Sequence, residues 1–192
     1  MSYLVVNGGK KLNGEITNQS SKNSAEALLC ASLMIKGPVT LTDVPQIEGV
    51  NRILELLSSI GVKISRSGTT VHLDASAELN LDKMDQHAAE VTRTSLLLLG
   101  ALAAREKKYN LYKSGGCHLG ERTVRPHLYA LQKLGVSVVS KDCYYEVKNS
   151  QPLRASHVIL YESGDTTTEN VIMAAILAPG VTTVKMASAN YQ

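Results

Sequence analysis

Residues 24–44 read SAEALLCASLMIKGPVTLTDV: apolar on most sides of a helix as far as Gly37-Pro38, then alternating β-branched and polar residues. The same design returns at residues 94–114, TSLLLLGALAAREKKYNLYKS, and at residues 167–187, TTENVIMAAILAPGVTTVKMA. A helix that is apolar nearly all round must be buried on several sides. These helices are therefore expected to form the core, each leading through a polar or Gly/Pro break into a strand such as Val39–Leu41 or Thr182–Val184. The copies start about 70 residues apart, a spacing at which a whole supersecondary unit recurs.

The intervening sequence repeats as well. Residues 50–75, VNRILELLSSIGVKISRSGTTVHLDA, answer to residues 124–149, VRPHLYALQKLGVSVVSKDCYYEVKN. In the first, Ile53, Leu54, Leu57 and Ile60 mark a helix that stops at Gly61, and a hairpin is expected across SRSG. The unit then reads βαβαββ, an α/β fold of repeated units with buried helices and outer sheets. Residues 1–20 are expected to form an initial strand, and residues 21–192 one domain of units at about 21–90, 91–155 and 156–192. The third unit lacks its second helix and hairpin, which would leave apolar faces uncovered and implies a missing domain or partner chain.

Composition narrows the function classes. A chain of 192 residues with 44% hydrophobic content can bury the core of one domain. The net charge of +3 is scattered and Phe and Trp are absent, so neither a nucleic-acid footprint nor a base-stacking platform is drawn, while small anionic ligands remain open. The apolar run 95–104 is far shorter than the ~20 residues of a membrane span, which leads us to expect no membrane association. Cys30, Cys117 and Cys143 form neither a disulfide framework nor a zinc motif, and without a signal peptide they point to free thiols in a reducing cytoplasm. The histidines show no metal-ligand spacing, so no metal or other cofactor is expected.

Four segments could carry chemistry. SSKNSAE (20–26) puts Lys22 and Asn23 at the start of the first buried helix, with Ser21 or Ser24 as caps; unpaired N–H groups beside a lysine favour a phosphate or carboxylate. EVTRTS (90–95) sets Arg93 at the matching place in the second copy. A surface lysine beside an ordinary cap, and an Arg93–Glu90 surface pair, are the plain alternatives. KSGGCHLGER (113–122) holds Cys117 in a glycine loop near Lys113, His118 and Arg122, cations that would lower a thiol pKa. Cys30, inside an apolar helix, and Cys143, beside a tyrosine pair, are expected to pack. ESGDTTTEN (162–170), with Thr168, suits either a helix cap or a polar ligand.

Together LNGEI (12–16), the Lys22-Asn23 pair, TRTS (92–95), GGCHLGER (115–122), LQKLGVSV (131–138) and TENVIMAAILAPGVTTV (168–184) resemble the enolpyruvyl transferases, from Met1 to about Ala187. The resemblance implies an inside-out α/β barrel of βαβαββ units, of which this chain would be the N-terminal domain, with the initial strand packing against the second domain. It implies transfer of the enolpyruvyl group of phosphoenolpyruvate to a hydroxyl of a nucleotide sugar such as UDP-N-acetylglucosamine, in peptidoglycan precursor synthesis. Lys22 and Arg122 would hold the phosphate, Arg93 would line the same cleft, Asn23 would contact the acceptor, and Cys117 would act as general acid or as the adding thiol. The family's Arg-Pro-Val/Ile-Asp is RTVR here, with Thr123 and Arg125 in place of Pro and Asp, and its Ser-Val-Gly-Ala-Thr-Glu-Asn loop is GDTTTEN around Thr168. These departures imply a different acceptor or, as a rival, a non-catalytic anion-binding or assembly subunit. In either case the chain alone is expected to be inactive.

Overall fold

The computed structural model describes residues 3–103, 105–114 and 123–190. Helix α1 (Lys22–Ala31) begins where the Ser21 hydroxyl accepts the Ser24 N–H at 3.2 Å, and it runs into a 3-10 turn at Ser32–Met34. Strand β1 (Pro38–Leu41) follows, then α2 (Glu48–Ser59), whose Val50, Ile53, Leu56 and Leu57 share the buried face. Gly61, at φ +102°, takes the left-handed conformation that ends α2. Strands β2 (Lys63–Ser67) and β3 (Thr70–Asp74) pair antiparallel, and β1 joins β3 on its other edge, giving the order β1-β3-β2. The hairpin turns at Gly68-Thr69, later than the SRSG reading, because Ser67 still pairs with Thr70 and only Gly68 has the positive φ that a two-residue turn needs.

Helix α3 (Gln86–Val91) is capped by Asp85, and a 3-10 segment at Arg93–Leu97 passes into the short α4 (Leu98–Ala101). Thr92 breaks the helix: its backbone is extended and its hydroxyl accepts the Thr94 N–H. Strand β4 (Lys108–Tyr112), α5 (Arg125–Lys133), β5 (Val136–Ser140) and β6 (Tyr144–Asn149) then build a second antiparallel sheet, of order β4-β6-β5. Strand β7 (His157–Ile159), α6 (Asp165–Ile176) and β8 (Thr183–Lys185) form a parallel strand pair around a crossover helix.

Helices fill the middle and the sheets cover them. Leu29, Cys30, Leu96 to Leu99, Val171 and Ala174 are buried on the helical segments, while Val71 and Leu73 of β3 and Tyr145 and Val147 of β6 turn inward from the sheets. Each such aliphatic side chain contributes about 1.5–3 kcal/mol on burial. At the centre, Asn170 of α6 is wholly buried: its Oδ1 accepts the Gly100 N–H at 2.7 Å and its amide donates to the Leu96 carbonyl at 3.1 Å. This side chain satisfies backbone groups at the junction between the 3-10 segment and α4. Among the described residues no helix is long and apolar enough to cross a membrane.

Residues 3–20 pair with no described strand and Tyr3, Leu4, Leu12 and Ile16 stand exposed, the edge expected to take them being that of a second domain. An extended segment becomes a strand only by hydrogen-bonding to an edge, and no described edge takes it. The expectation for Cys143 needs correction: it is exposed rather than packed, because it lies in the turn between β5 and β6, ahead of the alternation that buries Tyr145. Cys30 is fully buried, and desolvation, then the charges of Glu26 and Glu169, push its thiol far up.

Candidate active site

The N-terminal ends of α1, α2 and α6 face one cleft, joined by the Thr92–Thr94 corner and by His127 from α5. Its volume is roughly 1080 Å³. Helix N-termini carry partial positive charge, so their convergence biases the cleft toward anions before any side chain is counted. The side chains are mixed. Lys22, Arg52 and Arg93 line it, and so do Glu26, Glu48, Glu162, Asp165 and Glu169. Arg52 is engaged by its own helix, 3.0 Å from Glu48 and 2.6 Å from Glu55. Lys22, more than half exposed, lies 3.7 Å from the buried Glu26.

His127 is held in a defined state. The Gly100 N–H fixes the orientation of the Asn170 amide, whose nitrogen donates to His127 Nδ1 at 2.9 Å. The neutral ring therefore carries its proton on Nε2, which faces the Thr166 hydroxyl at 3.4 Å. Burial, reinforced by the Arg93 charge, lowers this imidazole to about 4, so it is neutral at physiological pH and its Nε2 is a donor without charge. Glu169, half buried, has its carboxyl raised by burial and by the charges of Asp165 and Glu26. Asp165 is held low by hydrogen bonds from Ser188 and Asn190.

The residues singled out from sequence fall into three groups. Lys22, Asn23 and Arg93 line the cleft together. Ser21 is the cap that starts α1 beside Lys22. Arg93 also donates to the Thr123 carbonyl at 3.3 Å, which ties the cleft to the chain just after the glycine loop. Thr168 and Arg125 are not brought to the cleft. The Thr168 hydroxyl donates to the Gly164 carbonyl and accepts the Ser188 N–H, leaving its neighbours Thr166 and Thr167 to line the cleft. Arg125 is the first residue of α5 and is exposed, its charge felt by Tyr161 beyond the rim. Cys117 and Arg122 lie outside the described residues. Lys113, placed near that loop, has its ammonium 5.6 Å from the centre of the Tyr145 ring.

Glu26 and His127 are the residues that sequence reading passed over. Glu26 carried a signal, a charge one turn after Lys22 inside an otherwise apolar helix, where an acid is rarely buried unless paired. His127 carried none, since its role depends on Asn170, which reaches it from another helix.

Residues 6–191 match the family EPSP synthase (3-phosphoshikimate 1-carboxyvinyltransferase). The UDP-N-acetylglucosamine 1-carboxyvinyltransferase of Psychromonas ingrahamii is 35% identical over 188 residues, 98% of this chain and 45% of that protein. The protein of the same name from Desulfatibacillum aliphaticivorans is 37% identical over 185 residues, 96% of this chain and 44% of that one. The chain thus spans less than half the length of these relatives. Among solved structures, the enolpyruvyl transferase NikO from Streptomyces tendae superposes with a TM-score of 0.70 at 20% identity, covering 92% of this chain and 41% of that one. EPSP synthase from Acinetobacter baumannii does so with a TM-score of 0.69 at 15% identity, over 93% and 41%.

Proposed function

Because the chain belongs to the EPSP synthase (3-phosphoshikimate 1-carboxyvinyltransferase) family, we propose that it supplies the phosphoenolpyruvate-holding part of a carboxyvinyl transferase. The observation that carries this reading is the meeting of Lys22, Asn23 and Arg93 in one cleft at converging helix N-termini. The names of the relatives favour a nucleotide-sugar acceptor such as UDP-N-acetylglucosamine, and with it a place in peptidoglycan precursor synthesis in the cytoplasm. The fold is then one part of an inside-out barrel whose third unit is incomplete, and a second domain or partner chain closes the site.

The chemistry follows from the groups. Phosphoenolpyruvate must gain a proton at its methylene carbon and the acceptor oxygen at its central carbon, then lose a proton and inorganic phosphate to leave the enol ether. Lys22 and Arg93 hold and neutralise the phosphate while positive character develops beside it, and Arg122 joins them from the glycine loop. Asn23 orients the acceptor hydroxyl, and Cys117 gives or takes the proton at the methylene carbon. His127, neutral and donating from Nε2, adds a hydrogen bond without adding charge. Arg125, exposed at the start of α5 outside the cleft, would meet only a part of the acceptor that reaches beyond it, and a cation there disfavours recognition that needs a carboxylate, so an acceptor other than the usual one is expected. Thr168, occupied by Gly164 and Ser188, acts on the shape of the loop rather than on the acceptor.

The test is phosphate release from phosphoenolpyruvate with a panel of nucleotide sugars, by this chain alone and by the longest reading frame that contains it. The reading predicts release by the longer protein, loss of more than ~10² in rate without the remaining length, and abolition by Lys22→Ala. Saturable phosphoenolpyruvate binding with no turnover by either form would instead favour an anion-binding or assembly subunit.

A further inference from the structure

Glu26 lies one turn after Lys22 on α1 and is 1% exposed. Its Oε2 accepts the Thr94 hydroxyl at 2.5 Å, while Oε1 is buried with no hydrogen-bond partner among the described residues. The unpartnered oxygen is closed in from two sides. Lys22 Nζ stands 3.7 Å away, and a Cβ added to Gly49 of α2 would lie 2.2 Å from Oε1 and 2.8 Å from Lys22 Cε. Only glycine at position 49 leaves room for the carboxylate and the lysine stem together. A buried carboxylate with an unfilled lone pair is costly, and an apolar side chain of similar volume would avoid that cost.

We propose that Glu26 is a built-in counter-ion for Lys22: a positioning residue that fixes the ammonium in the cleft and competes with an arriving anion for it. The proposal rests on reading the cleft as an anion site and deepens that reading by assigning what sets its affinity. Without ligand, the carboxylate balances the charge of the lysine across 3.7 Å without a hydrogen bond. A phosphate must outcompete it, which a dianion does more readily than a singly charged carboxylate, so the niche favours phosphate esters over ordinary organic acids. The same carboxylate draws Lys22 back once the phosphate leaves. Its field reaches across the cleft, since Glu169 is among the groups it raises.

Calorimetric titration of inorganic phosphate into the whole chain tests this, using wild type, Glu26→Gln and Glu26→Leu, each with and without Lys22→Met. Both Glu26 variants are expected to bind phosphate about tenfold more tightly than wild type, the scale of one partly desolvated charge pair, and the gain should vanish in the Lys22→Met background. Glu26→Leu keeps the experiment readable should the amide fold poorly, because apolar replacement of a buried charge is often tolerated. Equal or weaker binding by both variants, or a gain that persists without Lys22, overturns the counter-ion role while leaving the anion site standing. Failure of every form to bind, or indifference of wild-type affinity to Lys22→Met, removes the anion site and the proposal with it.

Discussion

Two contacts in this molecule share a design and differ in one respect. At the centre, Gly100 of α4 lets Asn170 of α6 approach so closely that a Cβ would lie 2.4 Å from the Asn170 carbonyl oxygen. At the cleft, Gly49 of α2 admits Glu26 of α1 in the same manner. The Asn170 amide meets two backbone groups and a histidine, whereas Glu26 keeps a buried oxygen without a hydrogen bond. A satisfied buried polar group stabilises one arrangement of helices. An unsatisfied one beside a cation lowers stability and shapes a site instead. The first contact should therefore be read out in stability and the second in anion binding.

The sharpest way to break that contrast is Asn170→Ala. It strands the Gly100 N–H, the Leu96 carbonyl and His127 Nδ1 at once, and should cost about 4 kcal/mol in urea unfolding, with Glu26→Leu costing less than a quarter of that. A loss below about 1 kcal/mol would show that the central network is not what holds α4 against α6.

Next comes pH. His127 sits at about 4 in the fold against the ordinary 6.5, so between those values the unfolded chain binds a proton that the folded chain refuses. Stability from this group is full above pH 6.5 and is lost as pH falls toward 4, by on the order of 3 kcal/mol. Unfolding of wild type and His127→Gln at about pH 7 and pH 4.5 checks it: the variant should lose less on acidification, and parallel losses would contradict the neutral-ring assignment.

The two glycines sharpen the comparison further. Gly100→Ala meets backbone that cannot yield and should cost about 3 kcal/mol. Gly49→Ala meets only the flexible ends of Glu26 and Lys22, and alanine gains helix propensity, so its cost should stay within about 1 kcal/mol. Its effect should appear as severalfold weaker phosphate binding, because the displaced carboxylate moves toward the cleft.

Much of this arrangement was legible in sequence where local physics decides it. The apolar runs gave the buried helices, Gly61 marked the end of α2, and β-branched alternation placed β1 and β8. Lys22 and Arg93 could be paired because each stands at the start of a corresponding helical segment. What could not be read depends on partners distant in the chain. Which threonine of Thr166, Thr167 and Thr168 faces the cleft is set by the first turn of α6 and by Ser188, which takes Thr168 out of it. The fate of residues 3–20 turns on an edge that no local pattern can supply. The burial of Glu26 depends on α2 and Thr94, which close over it from elsewhere in the chain.

The central claim is that Lys22 and Arg93 act together on one anion. Equilibrium titration of phosphoenolpyruvate into the chain at low salt, with wild type, Lys22→Ala and Arg93→Ala, addresses it most directly. The account predicts saturable binding at a single site, weakened at least about tenfold by either substitution. Binding indifferent to both substitutions, or no binding by the wild type, would contradict it.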